Sequence, residues 1–161
     1  MKLEETLRAL YDARVAFVLI GGAAMQLQGS AYLTEDLDFC YAHNGRNAQA
    51  LSQALAPFHP RLRNAPGNLP FRFDTTTIEH GLNFTLATDL GPLDFLGEVA
   101  GLGSYEAVNS AAETMNIFGL DHRVLSISGL IAAKRAGGRK KDLDAVKELE
   151  GLLELRKKTG L

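Results

Sequence analysis

The 161-residue sequence has a single cysteine, Cys40, and no tryptophan. One thiol makes neither an internal disulfide nor a cysteine-based zinc site, which sets aside disulfide scaffolds and zinc fingers. Neither sign of charge dominates: 17 Lys and Arg stand against 19 Asp and Glu, so the broad basic field of a DNA-coating protein is missing. No apolar run approaches the roughly 20 residues that cross a bilayer. Met1 to Arg14 is charged and amphipathic and lacks the apolar stretch of a signal peptide. A soluble, cytoplasmic chain without membrane contact is therefore expected. Hydrophobic residues at 46% and charged residues at 22% are close to the globular average and exclude wholesale disorder. The four histidines, His43, His59, His80 and His122, are scattered without metal-ligand spacing.

What is present reads as mixed secondary structure. Leu3, Leu7, Leu10 and Tyr11 recur at helical spacing and predict a helix over Leu3–Ala13. Ala16–Ile20 is an unbroken apolar run stopped by Gly21-Gly22, which predicts a buried strand, followed by a short helix over Ala23–Gln28. Asp36–Tyr41 alternates, with Leu37, Phe39 and Tyr41 on one face and Asp36, Asp38 and Cys40 on the other. Asn44 is placed to cap a helix through Leu55, closed by Pro57. Pro66, Gly67 and Pro70 predict a loop over Arg61–Pro70, and Phe71–Asp74 reads as a short strand. Leu82–Leu86 and Leu93–Leu96 form a predicted hairpin around Asp89–Pro92.

Gly97–Ser110 reads as irregular, and Thr114–Phe118 and Arg123–Leu125 as short strands around a turn at Gly119–His122. Ser126 or Ser128 caps a helix through Ala136, ended by Gly137-Gly138, and a last helix runs from about Lys141 to Lys157. Strands and helices mingle without regular alternation. The prediction is one α/β (α+β) domain over residues 1–161, a small mixed sheet flanked by helices, with the C-terminal helices of 126–157 packed on it.

Three carboxylates stand out. Asp36 and Asp38 are two apart on a strand and so project to one side, and Asp94 sits on a later strand between Leu93 and Phe95. Like charges this close repel unless a cation lies between them, and apolar flanks make unpartnered carboxylates costly. Oxygen-only ligands suit Mg²⁺ or Mn²⁺, and three of them suit two ions of the kind used in phosphoryl-type displacements. Gly21-Gly22, between strand and helix, either makes a tight turn or lets a phosphate approach the backbone at a helix N-terminus. Lys134 shares a helical stripe with Ile127, Leu130 and Ile131, so it either snorkels to water or reaches an anion in a cleft. Arg139-Lys140-Lys141 precedes the last helix, where positive charge opposes the dipole; it is a solvated turn or faces an anionic ligand. Cys40 reads as a small buried apolar residue, and Thr34 either orients Asp36 or closes a turn.

Gly21-Gly22, Thr34-Glu35-Asp36-Leu37-Asp38-Phe39 and Leu93-Asp94-Phe95, in that order, resemble the nucleotidyltransferase fold of the DNA polymerase β superfamily, and more narrowly its small prokaryotic members. The likeness extends through Leu125-Ser126, Leu130-Ile131, Lys134-Arg135-Ala136, Gly138-Arg139 and Lys141-Asp142-Leu143, covering about residues 14 to 150. The resemblance implies a metal-dependent, ATP- or other NTP-using transferase. In it Gly21, Gly22 and Lys134 hold the triphosphate, Asp36 and Asp38 bind two Mg²⁺ or Mn²⁺ ions, and Asp94 binds the catalytic one and helps deprotonate the attacking hydroxyl. The implied acceptor is an RNA, a partner protein or a small molecule, and the implied setting a toxin–antitoxin or defence system. An inactive nucleotide- or partner-binding module such as an antitoxin is the other reading. Two departures bear on it: Gly22 and Tyr32 stand where many relatives carry Ser and Arg.

Overall fold

The computed structural model describes residues 2–160; Met1 and Leu161, the two ends of the predicted domain, lie outside the described residues. The chain runs α1 (Leu3–Asp12), β1 (Phe17–Ile20), α2 (Gly21–Leu27), β2 (Leu37–Tyr41), α3 (Gly45–Leu55), a 3-10 turn (Ala56–Phe58), β3 (Arg61–Leu62), α4 (Thr75–His80), β4 (Asn83–Thr88) and β5 (Gly91–Leu96). It continues through β6 (Glu98–Val99), β7 (Gly103–Ser104), α5 (Tyr105–Ser110), β8 (Ala112–Ile117), β9 (Leu120–Leu125), α6 (Ile127–Gly137) and α7 (Lys140–Thr159). Among the described residues no helix is long and apolar enough to cross a membrane.

Seven strands form one mixed sheet in the order β3-β4-β5-β2-β1-β9-β8, and β6 and β7 make a separate small ribbon. β2 with β5 and β1 with β9 are parallel; the other pairs are antiparallel. All four residues of β1 are buried, as expected for a central strand covered on both faces. Phe39 on β2 stacks on Phe95 of β5 at 5.1 Å and meets Phe17 of β1 edge-on at 5.5 Å, so aromatic packing runs across the three central strands. Asn47 of α3 is buried and fully used: its side chain bonds Ala16 N, Ala16 O and Ala42 O, tying the start of β1 to the end of β2.

The strongest local signals are realised. Asn44 accepts a bond from Asn47 N and Ser126 one from Gly129 N, each capping its helix, and Gly138 closes α6 at φ +69°. Cys40 and Met25 are fully buried. Other expectations need correcting. Phe71–Asp74 is not a strand: it leads into α4, which Asp74 caps by accepting from Thr77 N. The predicted loop at Arg61–Pro70 opens with β3, paired to β4. The stretch from Gly97 to Ser110 holds the β6–β7 ribbon and α5. The sheet is larger than expected, and the β8–β9 turn is at Phe118-Gly119, both at positive φ, the twist that a two-residue hairpin turn demands.

Candidate active site

Sheet register builds the site. Asp38 on β2 pairs with Ile20 on β1 and with Asp94 on β5, and Asp94 pairs in turn with Thr85 on β4. Residues opposed across neighbouring strands project to the same side, so Asp38 and Asp94 stand together where β1 ends. Asp36 lies one residue ahead of β2. Gly21 follows β1 directly at φ +67°, and the Asp38 carboxyl group lies where its Cβ would be, with Asp38 Cγ only 2.8 Å away. A side chain there would expel the carboxylate, so the glycine serves both the left-handed backbone and the close approach.

The row continues to a residue that sequence reasoning missed. Arg63, just beyond β3, donates its backbone N–H to Thr85 O at 3.0 Å and Nη1 to Leu86 O at 3.1 Å. Its Nη2 lies 2.7 Å from Asp94 Oδ1 and 3.6 Å from Asp36 Oδ2, so one nitrogen serves two of the three carboxylates. The alternation Arg61-Leu62-Arg63 was the available signal of an edge strand, hidden within a stretch dominated by Pro66, Gly67 and Pro70.

Asp38 is the strained member. Burial, then the charge of Asp94, the hydrogen-bonding proximity of Asp94 and the charge of Asp36 push its carboxyl up to about 7 from 3.8, against the opposing pull of Lys134. Crowding expected from the Asp36–Asp38 spacing thus weighs on Asp38, while Asp36 faces Arg63. Three hard oxygen donors on adjacent positions fit Mg²⁺ or Mn²⁺ by chemistry. As they stand, however, no group of three or more His, Cys, Asp and Glu side chains among the described residues converges around a metal position. The Arg63 guanidinium contacts both Asp36 and Asp94.

On the other side of Asp38 lies a cavity of 230 Å³ with an apolar floor that includes Ile20, Leu96 and Leu125 and a polar rim of Asp38, Lys134, Arg139 and Asp142. Lys134 therefore does not snorkel away. Its ammonium lies 3.7 Å from Asp142 Oδ1 and 5.6 Å from the centre of the Tyr32 ring. Asp142 is buried, and hydrogen bonds from the Arg139 side chain hold its carboxyl below the ordinary range. Arg139 is the N-cap of α7 and closes a capping box with Asp142, so its charge is explained within the chain. Gly22 backs onto Thr34: a Cβ at 22 would lie 2.7 Å from Thr34 Cβ. Thr34 itself bonds Asp36 at both backbone N and O, closing the turn that presents it. Of the sequence-predicted residues, the structure thus brings Gly21, Asp36, Asp38 and Asp94 together, sets Lys134 across the cavity, and turns Gly22 toward Thr34.

No family model matches the chain, and no curated protein matches it in sequence. Solved structures do match it in shape. It is similar to ANT(2'')-Ia, solved with adenylyl-2''-tobramycin, at TM-score 0.56 and 12% identity over 99% of this chain and 97% of that one. It is also similar to an antigenic nucleotidyltransferase-like protein of Paracoccidioides brasiliensis, at TM-score 0.56 and 17% identity over 96% and 75%. The chain has the nucleotidyltransferase fold. A Thermotoga maritima protein assigned to the nucleotidyltransferases has it too, at TM-score 0.51 and 16% identity over 94% and 91% of the two chains.

Two outcomes follow from this geometry. Folded Asp38 holds its proton more tightly than the unfolded chain does, so the native state binds extra protons between the two pKa values, and stability falls as pH rises from about 4 to about 7. With chelator present, Asp38→Asn should melt above wild type near pH 8 and lose that advantage near pH 4, as read by thermal melts across that range. Gly22→Ser should destabilise by about 1–3 kcal/mol through overpacking against Thr34. Adding Thr34→Gly should recover part of that loss in urea unfolding; no recovery would place the clash elsewhere.

Proposed function

We propose that the protein transfers a nucleoside monophosphate from an NTP to a hydroxyl group and releases pyrophosphate. The observation that carries this reading is the in-register β2–β5 pair, which sets Asp38 beside Asp94 against the Gly21 turn of a nucleotidyltransferase fold. Asp36, Asp38 and Asp94 are the residues that would hold Mg²⁺ or Mn²⁺, which when bound supplies positive charge to the triphosphate and to the displaced pyrophosphate. Asp94, on the same rung as Asp38, accepts the proton of the attacking hydroxyl. Lys134 contributes positive charge to the cavity that Asp38 and Gly21 border, where it attracts the phosphates. Gly21, lacking a side chain, lets the Asp38 carboxyl group stand against the start of α2. Positioning and electrostatics then supply most of the rate.

The acceptor is a small molecule, an RNA or a partner protein; ANT(2'')-Ia, solved with an adenylylated tobramycin, supports the first for the fold. A toxin–antitoxin or defence setting is supported by the sequence resemblance. A second reading, a catalytically silent nucleotide- or partner-binding module, is favoured by one specific observation: Arg63 occupies two of the three carboxylates.

The deciding experiment incubates the protein with each of the four α-labelled NTPs and Mg²⁺ or Mn²⁺, and follows pyrophosphate release and label on added RNA, on protein and on small hydroxylated compounds. Metal-dependent transfer should be seen, and Asp94→Asn should reduce it by at least about a hundredfold, the usual scale for removing an acid–base group. Lys134→Ala should weaken NTP binding while leaving the melting temperature close to wild type. Nucleotide binding without any pyrophosphate release supports the silent module instead.

A further inference from the structure

The acidic row carries its own cation. Arg63 is aimed rather than draped: its backbone is bonded to Thr85, its Nη1 to Leu86 O, and its Nη2 reaches across β4 to Asp94 and Asp36. Its side chain is four-fifths covered. The oxygens it engages belong to two of the three groups that would hold a divalent cation. The guanidinium and such a cation therefore compete for the same lone pairs. Arg63 also has room to leave. It lines a cavity of 380 Å³ together with Arg61, Asn64, Pro66, Leu69 and Phe71. The strand just before Arg63, β3, is two residues long and sits at the sheet edge, and the residue after it, Asn64, has positive φ.

We propose that Arg63 is a tethered counter-cation of the acidic site, and that loading Mg²⁺ or Mn²⁺ is an exchange in which the guanidinium leaves Asp36 and Asp94 for the neighbouring cavity. This rests on the reading of Asp36, Asp38 and Asp94 as a cation site. No bond is made or broken; one ionic partner replaces another. The physical case is one of charge. A single guanidinium offers one positive charge to two carboxylates and leaves Asp38 to Lys134, whereas a divalent ion offers two. The exchange keeps the carboxylates from repelling one another while no metal is bound, and it makes metal occupancy move the Arg63 side chain. A residue that merely orients Asp94 would stay in place when metal binds.

The test needs no substrate or turnover. Full-length wild type is treated with phenylglyoxal, which modifies accessible guanidinium groups, with and without saturating Mn²⁺, and the rates at Arg63 and Arg61 are read by peptide mass spectrometry. Release from a charged hydrogen bond should raise the Arg63 rate by about tenfold with Mn²⁺ while the rate at Arg61 stays constant. In parallel, Mn²⁺ binding measured by calorimetry should be about tenfold tighter for Arg63→Gln, freed of its competitor, than for wild type. An Arg63 rate unchanged or lowered by bound Mn²⁺ overturns the exchange and leaves the proposed function standing. Wild type that takes up no Mn²⁺, alone or with an NTP, overturns both. Because the first measurement is made on wild type, poor folding of the variant leaves it decisive.

Discussion

The pairing of β2 with β1 on one side and β5 on the other is the constraint from which the rest of the site follows. It is held from below by Phe17, Phe39 and Phe95, whose rings pack across the three strands, and by Asn47, which ties the ends of β1 and β2. With register pinned this way, Ile20, Asp38, Asp94 and Thr85 fall in one row. A slip of one residue along β2 would send Asp38 into the opposite face and bring Leu37 or Phe39 out in its place. The apolar packing thus enforces the crowding of the carboxylates. Folding energy from the core is what holds like charges side by side.

A second set of contacts fixes the loop that delivers Asp36. Ser30 Oγ donates to Glu148 at 2.5 Å, Ala31 N to the same carboxylate at 3.0 Å, and Gln26 to Tyr32 O at 2.8 Å. Arg156 of α7 reaches Gln28 O. Most of these partners lie on α7, more than a hundred residues away in sequence. The long C-terminal helix therefore does more than cover the core: it orders the approach to β2. Its own start is set by Arg139 and Asp142, and Asp142 in turn engages Lys134. Arg139 at the head of α7 belongs to this arrangement, and its pairing with Asp142 offsets positive charge placed where the helix dipole disfavours it.

How much of this the sequence disclosed depended on whether the signal was local. The unbroken run Ala16–Ile20 and the alternation from Asp36 to Tyr41 each encode a strand within a few residues, and the strands begin one residue later, at Phe17 and Leu37; of the cap candidates, Asn44, Ser126 and Gly138 are the ones used. Asp36 and Asp38 were legible as a pair by their spacing, and Asp94 as a third carboxylate between apolar neighbours; that Asp38 stands opposite Asp94 comes from the β2–β5 register. By contrast, α4 and α5 are six residues each, too short to show a periodic stripe; α4 packs on α3 and α5 on the sheet, and tertiary packing rather than local pattern holds them. Arg63 was invisible for a deeper reason. Its significance comes from β3 pairing with β4, a contact made across more than twenty residues of intervening chain, and a two-residue strand carries almost no pattern of its own. Thr34 filling the space beside Gly22 is likewise a fact of tertiary packing.

The charge balance of the cleft limits the order in which ligands can enter. Three carboxylates face Arg63, which serves two of them, and Lys134, which is shared with Asp142. The site is therefore electronegative around Asp38, and burial first, with the charges of Asp94 and Asp36 added to it, pushes its carboxyl up to about 7. A bare triphosphate adds several more negative charges, and the cavity beside Asp38 is partly lined by apolar side chains that do little to screen them. On the proposed reading, nucleotide and divalent cation must then arrive together or cation first, since each lowers the electrostatic cost of the other. The same argument bears on the position of Arg63 just beyond an edge strand. A permanent cation deep between Asp36 and Asp94 would neutralise the site for good, whereas one carried just beyond the edge strand, beside a cavity that it lines, can stabilise the row of carboxylates and still yield.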